Sequence, residues 1–174
     1  MALSRWVRWA ALLGILAALA ALALLPSGPA SETLVALAGP EKVELTLADL
    51  QALPAIEREG SYQNSYGNWS TPARYRGVPL DVLVGGRFPK LWPGEITVVG
   101  ADGYRITFTV DRLEDADYPV VLAYAKDGLT PPAWEEGPRI AVLPEGGRVS
   151  NEDYEAESAG AYWVRNVVRL ELEW

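Results

Sequence analysis

An aromatic and polar segment at residues 61–80, SYQNSYGNWSTPARYRGVPL, holds the side chains of this sequence that are best suited to bind a small molecule. Aromatic rings offer flat apolar faces and side-chain amides offer hydrogen-bonding edges, a combination that holds sugars and flat heterocycles. The alternative is that the rings fold back to cover the core, as Trp and Tyr often do. The rings belong to Tyr62, Tyr66, Trp69 and Tyr75, and the amides to Gln63, Asn64 and Asn68.

Histidine and cysteine are both absent from the 174 residues. A Ser-His-Asp triad, a histidine metal site and a histidine-ligated haem are therefore excluded. Disulfides, thiolate metal ligands and a cysteine nucleophile are excluded for the same reason. Scarce Asn, Gln and Met with frequent Pro and Arg are also typical of thermophile proteins, and such a composition by itself explains the lack of cysteine.

The chain is acidic, with a formal net charge of −8 at pH 7. A surface of this charge repels phosphate backbones, so nucleic-acid binding is not expected. Two acidic clusters, DRLEDAD at residues 111–117 and NEDYEAE at residues 151–157, lack the regular ligand spacing and the turn-making glycine of a calcium loop. They are predicted to be solvated surface, and no metal site is predicted from them.

The first 30 residues predict export from the cytoplasm. Arg5 and Arg8 form a basic start, residues 9–25 carry no charge, and Ala30 is one of the small residues that a signal peptidase reads. The uncharged run is slightly long for a cleaved signal and slightly short for a spanning helix of ~20 residues. We favour a signal peptide, with an uncleaved membrane anchor through residues 9–25 as the alternative. Either places the folded part outside the cytoplasm, in the periplasm or at the cell surface.

The remaining chain is predicted to contain a linker at residues 31–40 and one domain at residues 41–174. The run KVELTLADLQALP predicts a strand and then a short helix that is capped by Thr46, with Asp49 reaching back to it. The run VPLDVLVGG predicts a helix with Pro79 in its first turn and the paired glycines at its end. Its core face would consist of Leu80, Leu83 and Val84.

Strands dominate the second half of the chain. The pair Asp102-Gly103 predicts a hairpin turn, and the runs YPVVLAYA and RIAVLP predict buried strands. The pattern as a whole predicts an α+β domain that is mostly β, with mixed strands and short helices. Alternation predicts one buried face at Tyr104, Ile106, Phe108 and Val110, and another at Val168, Leu170, Leu172 and Trp174.

Three motifs in order, YRGVPLDVLV, LAYAKDGLTPPAWEEGPRIAVLP and YWVRNVVRLEL, resemble the oxidoreductase molybdopterin-binding domain, which has the sulfite-oxidase-like fold. That family shows Trp-x-Gly-x-Pro-Leu at a helix start, an Ala-rich strand before an Asn/Asp-Gly turn, Gly-x-Pro before a strand, and a Trp-Val-Arg-like last strand. The resemblance covers about residues 41–174. The matching positions are Tyr75, Gly77, Pro79, Leu80, Ala123, Asp127, Gly128, Gly137, Pro138, Pro144, Trp163 and Arg165.

Within that family, the sequence is most similar to the catalytic subunits of bacterial methionine-sulfoxide reductases. There a metal-binding cysteine precedes a Trp-Ser pair, and an ungapped match places Trp69 and Ser70 on the pair and Ser65 on the cysteine. A thiol has a pKa of ~8.5, whereas a serine hydroxyl holds its proton far more tightly and is a harder ligand. The resemblance thus implies the family's metal loop without its thiolate.

The family's basic residues near the cofactor phosphate are also missing, since Tyr162 replaces a frequent lysine and residues 135–136 are acidic where histidine is common. Molybdopterin is nevertheless the cofactor that the resemblance implies. The residues that it places around the cofactor are Tyr66, Asn68, Trp69, Tyr75, Gly137, Arg139 and Trp163.

Three functions remain open on the sequence. The first is a binding module, not an enzyme, that has lost cysteine-ligated molybdenum chemistry and holds a small ligand or a partner protein in a cleft lined by Tyr66, Trp69 and Tyr75. The second is a molybdopterin-dependent oxidoreductase that uses Ser65, or no protein ligand, on the metal and works with a redox partner. The third is an anchored structural or assembly partner whose cleft is filled by its own side chains. We rank them in this order.

Overall fold

Two five-stranded sheets and three short helices form the part of the chain that the computed structural model describes, residues 33–88 and 93–174. The predicted signal or anchor lies outside the described residues. The helices are α1 (Leu47–Gln51), α2 (Leu80–Arg87) and α3 (Val110–Leu113), and a 3-10 helix spans Ala159–Tyr162. The strands are β1 (Val35–Ala38), β2 (Lys42–Leu45), β3 (Ile56–Tyr62), β4 (Ala73–Pro79), β5 (Glu95–Gly100), β6 (Arg105–Thr109), β7 (Val120–Lys126), β8 (Arg139–Val142), β9 (Arg148–Val149) and β10 (Val167–Glu173).

The strands form one sheet in the order β2-β1-β10-β5-β6 and a second in the order β8-β7-β4-β3-β9. The last strand of the chain, β10, lies at the centre of the first sheet, parallel to β1 and antiparallel to β5. The prediction of a mostly β, α+β domain is confirmed. None of the helices among the described residues is long and apolar enough to cross a membrane.

Strand β1 corrects the predicted linker at residues 31–40. Residues 35–38 pair with β2 and β10, and Val35 and Leu37 are fully buried. The strand has only four residues, and its parallel partner is the far end of the chain. Local sequence therefore gave no sign that this short apolar run is part of the core.

The helix signals are largely confirmed. The Thr46 hydroxyl accepts a hydrogen bond from the Asp49 backbone N–H, and the Asp49 carboxylate accepts one from the Thr46 backbone N–H, so the capping box is complete. Pro79 stands immediately before α2, and Leu80, Leu83 and Val84 are buried. The helix ends at Arg87, so the paired glycines lie inside its last turn instead of ending it.

Both predicted alternating faces need correction at their ends. In β10, a bulge between Val167 and Arg169 shifts the alternation, which buries Val167 and leaves Val168 exposed, and Trp174 is also half-exposed. The β5–β6 hairpin is confirmed, and Phe108 is fully buried. Tyr104 lies before β6 and is exposed, because it belongs to the turn. Ile106 and Val110 are half-buried.

The second sheet is buried on both faces along β7. Leu122 and Tyr124 belong to a core cluster that they share with the first sheet and with helices α1 and α2. The neighbouring Val121 and Ala123 belong to a second cluster, which is rich in aromatic side chains. Strands buried on both faces read as continuous apolar runs, which explains the sequence of β7. The aromatic cluster carries the candidate site.

Candidate ligand-binding site

The rings of Tyr66, Trp69 and Tyr75 do not line a common cleft, which corrects the sequence prediction. Tyr66 is 86% exposed, and Trp69 is 42% exposed with the Arg148 guanidinium 5.2 Å from its ring centre. Tyr75 is buried in the aromatic cluster. The alternative reading, in which the rings cover the core, holds for Tyr75 and in part for Tyr62, which is half-buried and packs against the same cluster.

The turn that carries Ser65 is held by its own backbone and by a neighbouring loop. The Asn64 side-chain oxygen accepts hydrogen bonds from the backbone N–H groups of Tyr66 (2.9 Å) and Asn68 (3.0 Å). Asn151 donates a side-chain hydrogen bond of 2.9 Å to the Asn64 carbonyl. Ser65 and Asn68 are both exposed on this turn. The turn therefore directs Tyr66 and Ser65 to solvent.

A pocket of about 350 Å³ lies beside the aromatic cluster, and we call it the Arg139 pocket. Its walls come from the end of β3, the β5–β6 turn, the first residue of β8, the 3-10 helix and the segment that leads into β10. It brings together Arg139 and Trp163, two of the residues that the family resemblance implied. The pocket is lined by Tyr62, Asp102, Tyr104, Arg139, Gly160, Ala161, Trp163, Val164 and Arg165.

Arg139 is a buried cation, since only 5% of the residue is exposed. Its nearest carboxylate is that of Glu136, at 3.5 Å from Nη1, which is longer than a hydrogen bond. Glu136 instead accepts a hydrogen bond of 3.1 Å from Arg165, and this bond lowers the pKa of Glu136. Among the described residues, the Arg139 Nε has no hydrogen-bond partner. This buried guanidinium thus keeps an unused donor.

Trp163 supplies a second unused donor in the same pocket. Its ring packs against Tyr62, with ring centres 4.9 Å apart, and against Tyr75 at 5.4 Å. The indole Nε1 is buried and has no acceptor within the described part of the chain. Buried polar groups nearly always find a partner, and leaving one unpaired costs about 1–3 kcal/mol. Two such donors therefore lie on residues that line the Arg139 pocket, while Trp134 Nε1 and the Tyr154 hydroxyl are buried donors without a partner elsewhere in the described chain.

Burial raises the pKa of Tyr75, and the charge of Arg139 opposes this only in part. The Tyr75 hydroxyl is therefore neutral at physiological pH and adds no negative charge beside Arg139. The charged side chains that line the Arg139 pocket are Arg139, Arg165 and Asp102. With Glu136, which lies against both arginines, these charges sum to zero, so a preference for acceptor oxygens rests on the unpaired donors and not on net charge.

Glycines bring the walls of the site close together. A Cβ atom on Gly160 would lie 2.6 Å from the Tyr62 ring, and one on Gly60 would lie 2.7 Å from the Trp163 ring. A Cβ on Gly137 would collide with the ring of Trp134. Gly137 is not among the pocket-lining residues, so the structure gives it a packing role beside Trp134.

Several lining residues were not singled out by sequence reasoning as site residues. Asp102 and Tyr104 come from a hairpin turn, and Gly160 and Ala161 from the 3-10 helix. Arg165 was noted as part of a motif but without a role. These residues meet only through the packing of the two sheets, and no local pattern marks them. The one available signal was the last motif, in which Arg165 follows Trp163 by two residues.

The residues present do not fit a protein-bound molybdenum at this pocket. Ser65 is exposed on its turn and does not line the Arg139 pocket. Its hydroxyl is a hard ligand with a tightly held proton. Within residues 33–88 and 93–174, no group of three or more acidic side chains is placed to hold a metal ion. The function proposed for this pocket therefore includes no reaction at a metal.

Comparison with known proteins gives a fold but no family. No family model matches the sequence, and a search of curated proteins finds no match. Among solved structures, the chain is similar to the sulfane dehydrogenase SoxCD from Paracoccus pantotrophus, with a TM-score of 0.58 and 20% identity. The match covers 82% of this chain but 38% of that one, so this chain spans well under half of that protein's length.

At this level of identity the likeness shows the fold alone. The chain has, at a coarse level, the sulfite-oxidase-like fold that its motifs predicted. The likeness is to the fold of part of a sulfane dehydrogenase. Fold does not determine function, which has to be argued from the Arg139 pocket.

Proposed function

We propose that this chain is an exported small-ligand-binding module, and that its Arg139 pocket holds the ligand through acceptor oxygens. The observation that carries the proposal is the pair of buried donors, Arg139 Nε and Trp163 Nε1, which have no partner among the described residues. A ligand with an acceptor oxygen for each donor would remove the cost of both unpaired groups. A site that hydrogen-bonds its ligand in this way also rejects analogues that lack the acceptor.

The ligand class follows from the walls of the pocket. Tyr62 and Trp163 supply aromatic surface, and Arg139 supplies a charged planar donor. Aromatic side chains pair with flat rings in offset or edge-to-face arrangements. A flat heterocycle with a carbonyl or an anionic oxygen fits these groups, and the pterin part of the implied molybdopterin cofactor is one example. Ionised donors bind such oxygens about twice as strongly as neutral donors.

The absence of enzyme activity remains part of this proposal. It is supported by the exposure of Ser65, which stands at the family's cysteine position but away from the Arg139 pocket. The same argument supports a protein that has lost cysteine-ligated molybdenum chemistry while keeping the fold. Export is supported by the basic start and the uncharged run at residues 9–25.

A second candidate is a molybdopterin-dependent oxidoreductase. It is favoured by the fold shared with SoxCD, a sulfane dehydrogenase, and by a pocket that already contains an arginine and aromatic walls. In that case Arg139 and Trp163 would hold the pterin, and the cofactor would supply the redox chemistry. The third candidate, a structural or assembly partner, is favoured by the exposed Tyr66 on its hydrogen-bonded turn.

The test is to purify the full chain from its native host and to identify what it carries. Mass spectrometry of the denatured protein would detect a released small molecule, and elemental analysis would measure molybdenum and tungsten. We expect a small heterocyclic or anionic molecule without stoichiometric metal, and its loss from Arg139→Met but not from the exposed control Arg169→Met. Stoichiometric molybdenum would instead establish the second candidate. A wild-type protein without any bound molecule would contradict both.

A further inference from the structure

A second group of basic residues lies on the second sheet, away from the Arg139 pocket. Glu57 on β3 pairs in register with Arg76 on β4, and Arg74 lies two residues away on the same strand. The Glu57 carboxylate is 3.6 Å from Arg74 Nη1 and 3.7 Å from Arg76 Nη1. Both distances exceed those of N–H···O hydrogen bonds, about 2.7–3.2 Å. We call these three residues the open triad.

The first sheet contains another group of two arginines and one glutamate, which we call the closed triad because its carboxylate is hydrogen-bonded to both arginines. Arg169 Nε donates a hydrogen bond of 2.8 Å to Glu171, and Arg105 donates to both carboxylate oxygens of Glu171. The hydrogen bonds from Arg105, followed by those from Arg169, lower the pKa of Glu171. In the closed triad the carboxylate uses its arginine donors. In the open triad the carboxylate of Glu57 is too distant to accept hydrogen bonds from the two arginines.

The open triad also borders a cleft of about 400 Å³. Arg76 Nε donates a hydrogen bond of 3.1 Å to the hydroxyl of Tyr124, which is itself buried. This bond fixes the Arg76 guanidinium and leaves its terminal nitrogens available to the cleft. The residues that line the cleft are Gln51, Glu57, Arg74, Arg76, Tyr124, Ala125, Gly128 and Thr130.

We infer that this cleft binds a small molecule through a carboxylate, which displaces Glu57 and pairs with Arg74 and Arg76. The planar fork of arginine matches a carboxylate with two parallel hydrogen bonds. Two arginines and one glutamate leave a single excess positive charge, which balances one carboxylate group. A second carboxylate of the same ligand can stay in solvent, whereas both charges of a phosphate dianion fall on one group. The cleft shares no lining residue with the Arg139 pocket, so this second site is independent of the proposed function.

The experiment is an NMR titration of the arginine Nε–H resonances in the full chain at constant ionic strength. The probes are succinate, acetate and inorganic phosphate. We expect the Arg74 and Arg76 resonances to shift and saturate with the two carboxylates, more strongly than with phosphate. Changing both arginines to glutamine should weaken succinate binding about tenfold or more, the loss expected when charge-assisted bidentate bonds are removed.

The decisive variant is Glu57→Gln, which removes the competing internal carboxylate. It should tighten succinate binding several-fold, whereas a purely structural ion pair would give no gain. Its matched control is Glu171→Gln in the closed triad, which does not border this cleft and should leave succinate binding unchanged.

Four results would overturn the inference. The first is the absence of saturable shifts with either carboxylate. The second is a preference for phosphate over succinate. The third is an unchanged affinity in Glu57→Gln. A polyglutamate peptide that binds at least about tenfold more tightly than succinate would also overturn it, because the occupant would then be a protein segment.

Discussion

Replacing Arg139 by methionine tests whether the buried guanidinium serves binding and not stability. The substitution keeps much of the apolar stem and removes the charge, so core packing changes little. It also removes a buried donor whose unpaired state costs about 1–3 kcal/mol. Buried ion pairs can often be replaced by apolar groups without loss of stability.

The stability that Arg139→Met loses with the Arg139–Glu136 ion pair is small. The Glu136 carboxylate is 3.5 Å from Arg139, is 41% exposed, and keeps its hydrogen bond with Arg165. Because Glu136 is solvated and keeps Arg165 as a partner, losing Arg139 leaves no buried charge unpaired, and the lost ion pair contributes about 1 kcal/mol. We therefore expect the ligand-free Arg139→Met protein to be as stable as the wild type or about 1 kcal/mol more stable, while ligand binding is lost.

The assay is guanidinium chloride denaturation of the ligand-free full chain, with the midpoint compared at equal m-values. The control is Arg165→Met, which changes an exposed side chain and should move the free energy of unfolding by less than about 0.5 kcal/mol. A destabilisation of Arg139→Met by more than about 2 kcal/mol would refute the reasoning, because Arg139 would then be a structural ion-pair partner.

Three further predictions concern the fold and the family loop. Gly77→Ala would push a Cβ into the backbone of β7, including the Ala123 nitrogen at 2.7 Å. The free energy of unfolding, measured by chemical denaturation, should fall by about 3 kcal/mol or more. Gly86→Ala, whose new Cβ meets nothing within 4 Å among the described residues, should instead stabilise by about 0.5–1 kcal/mol. Hydrogen bonds from Thr46 lower the pKa of Asp49 in the folded protein. Asp49→Asn should therefore lower the free energy of unfolding at pH 7. This difference from the wild type should disappear as the pH falls below the pKa of about 4 in the unfolded chain and through the lower pKa in the folded protein. If the free energy of unfolding had the same pH dependence in the wild type and in Asp49→Asn, this prediction would be contradicted. Ser65→Ala should leave ligand content and stability within about 0.5 kcal/mol of wild type, and loss of bound ligand in that variant would restore a ligating role.

Sequence reasoning succeeded where local chemistry determines structure. The capping box at Thr46 and the hairpin turn at Asp102-Gly103 depend on residues within four positions of each other, and both were predicted. The continuous apolar run of β7 likewise reported burial on both faces. The coarse fold was predicted from the order of three motifs, none of which is specific alone.

It failed where distant segments decide the outcome. Residues 35–38 became a strand because the far end of the chain supplies their partner. The bulge after Val167 buried Val167 in place of Val168, while Leu170 and Leu172 are buried as predicted. Tyr75 was predicted to share a cleft with Tyr66, yet the strand buries one ring while the turn exposes the other.

The Arg139 pocket was only partly predictable for the same reason. Arg139 and Trp163 were predicted as site residues from the family resemblance, but their unpaired donors become visible only when packing shows what surrounds them. The hairpin turn and the 3-10 helix, which complete the walls, carry no local signal for a pocket.

Ligand binding at the Arg139 pocket is tested most directly by the NMR resonances of its two unpaired donors, Arg139 Nε and Trp163 Nε1. The Trp163 indole N–H and the Arg139 Nε–H would be recorded in full chain purified from the native host, before and after its small molecule is removed. We predict that both resonances move on removal and return when the extracted molecule is added back. Unchanged resonances at these two groups, with the molecule bound elsewhere or not at all, would contradict it.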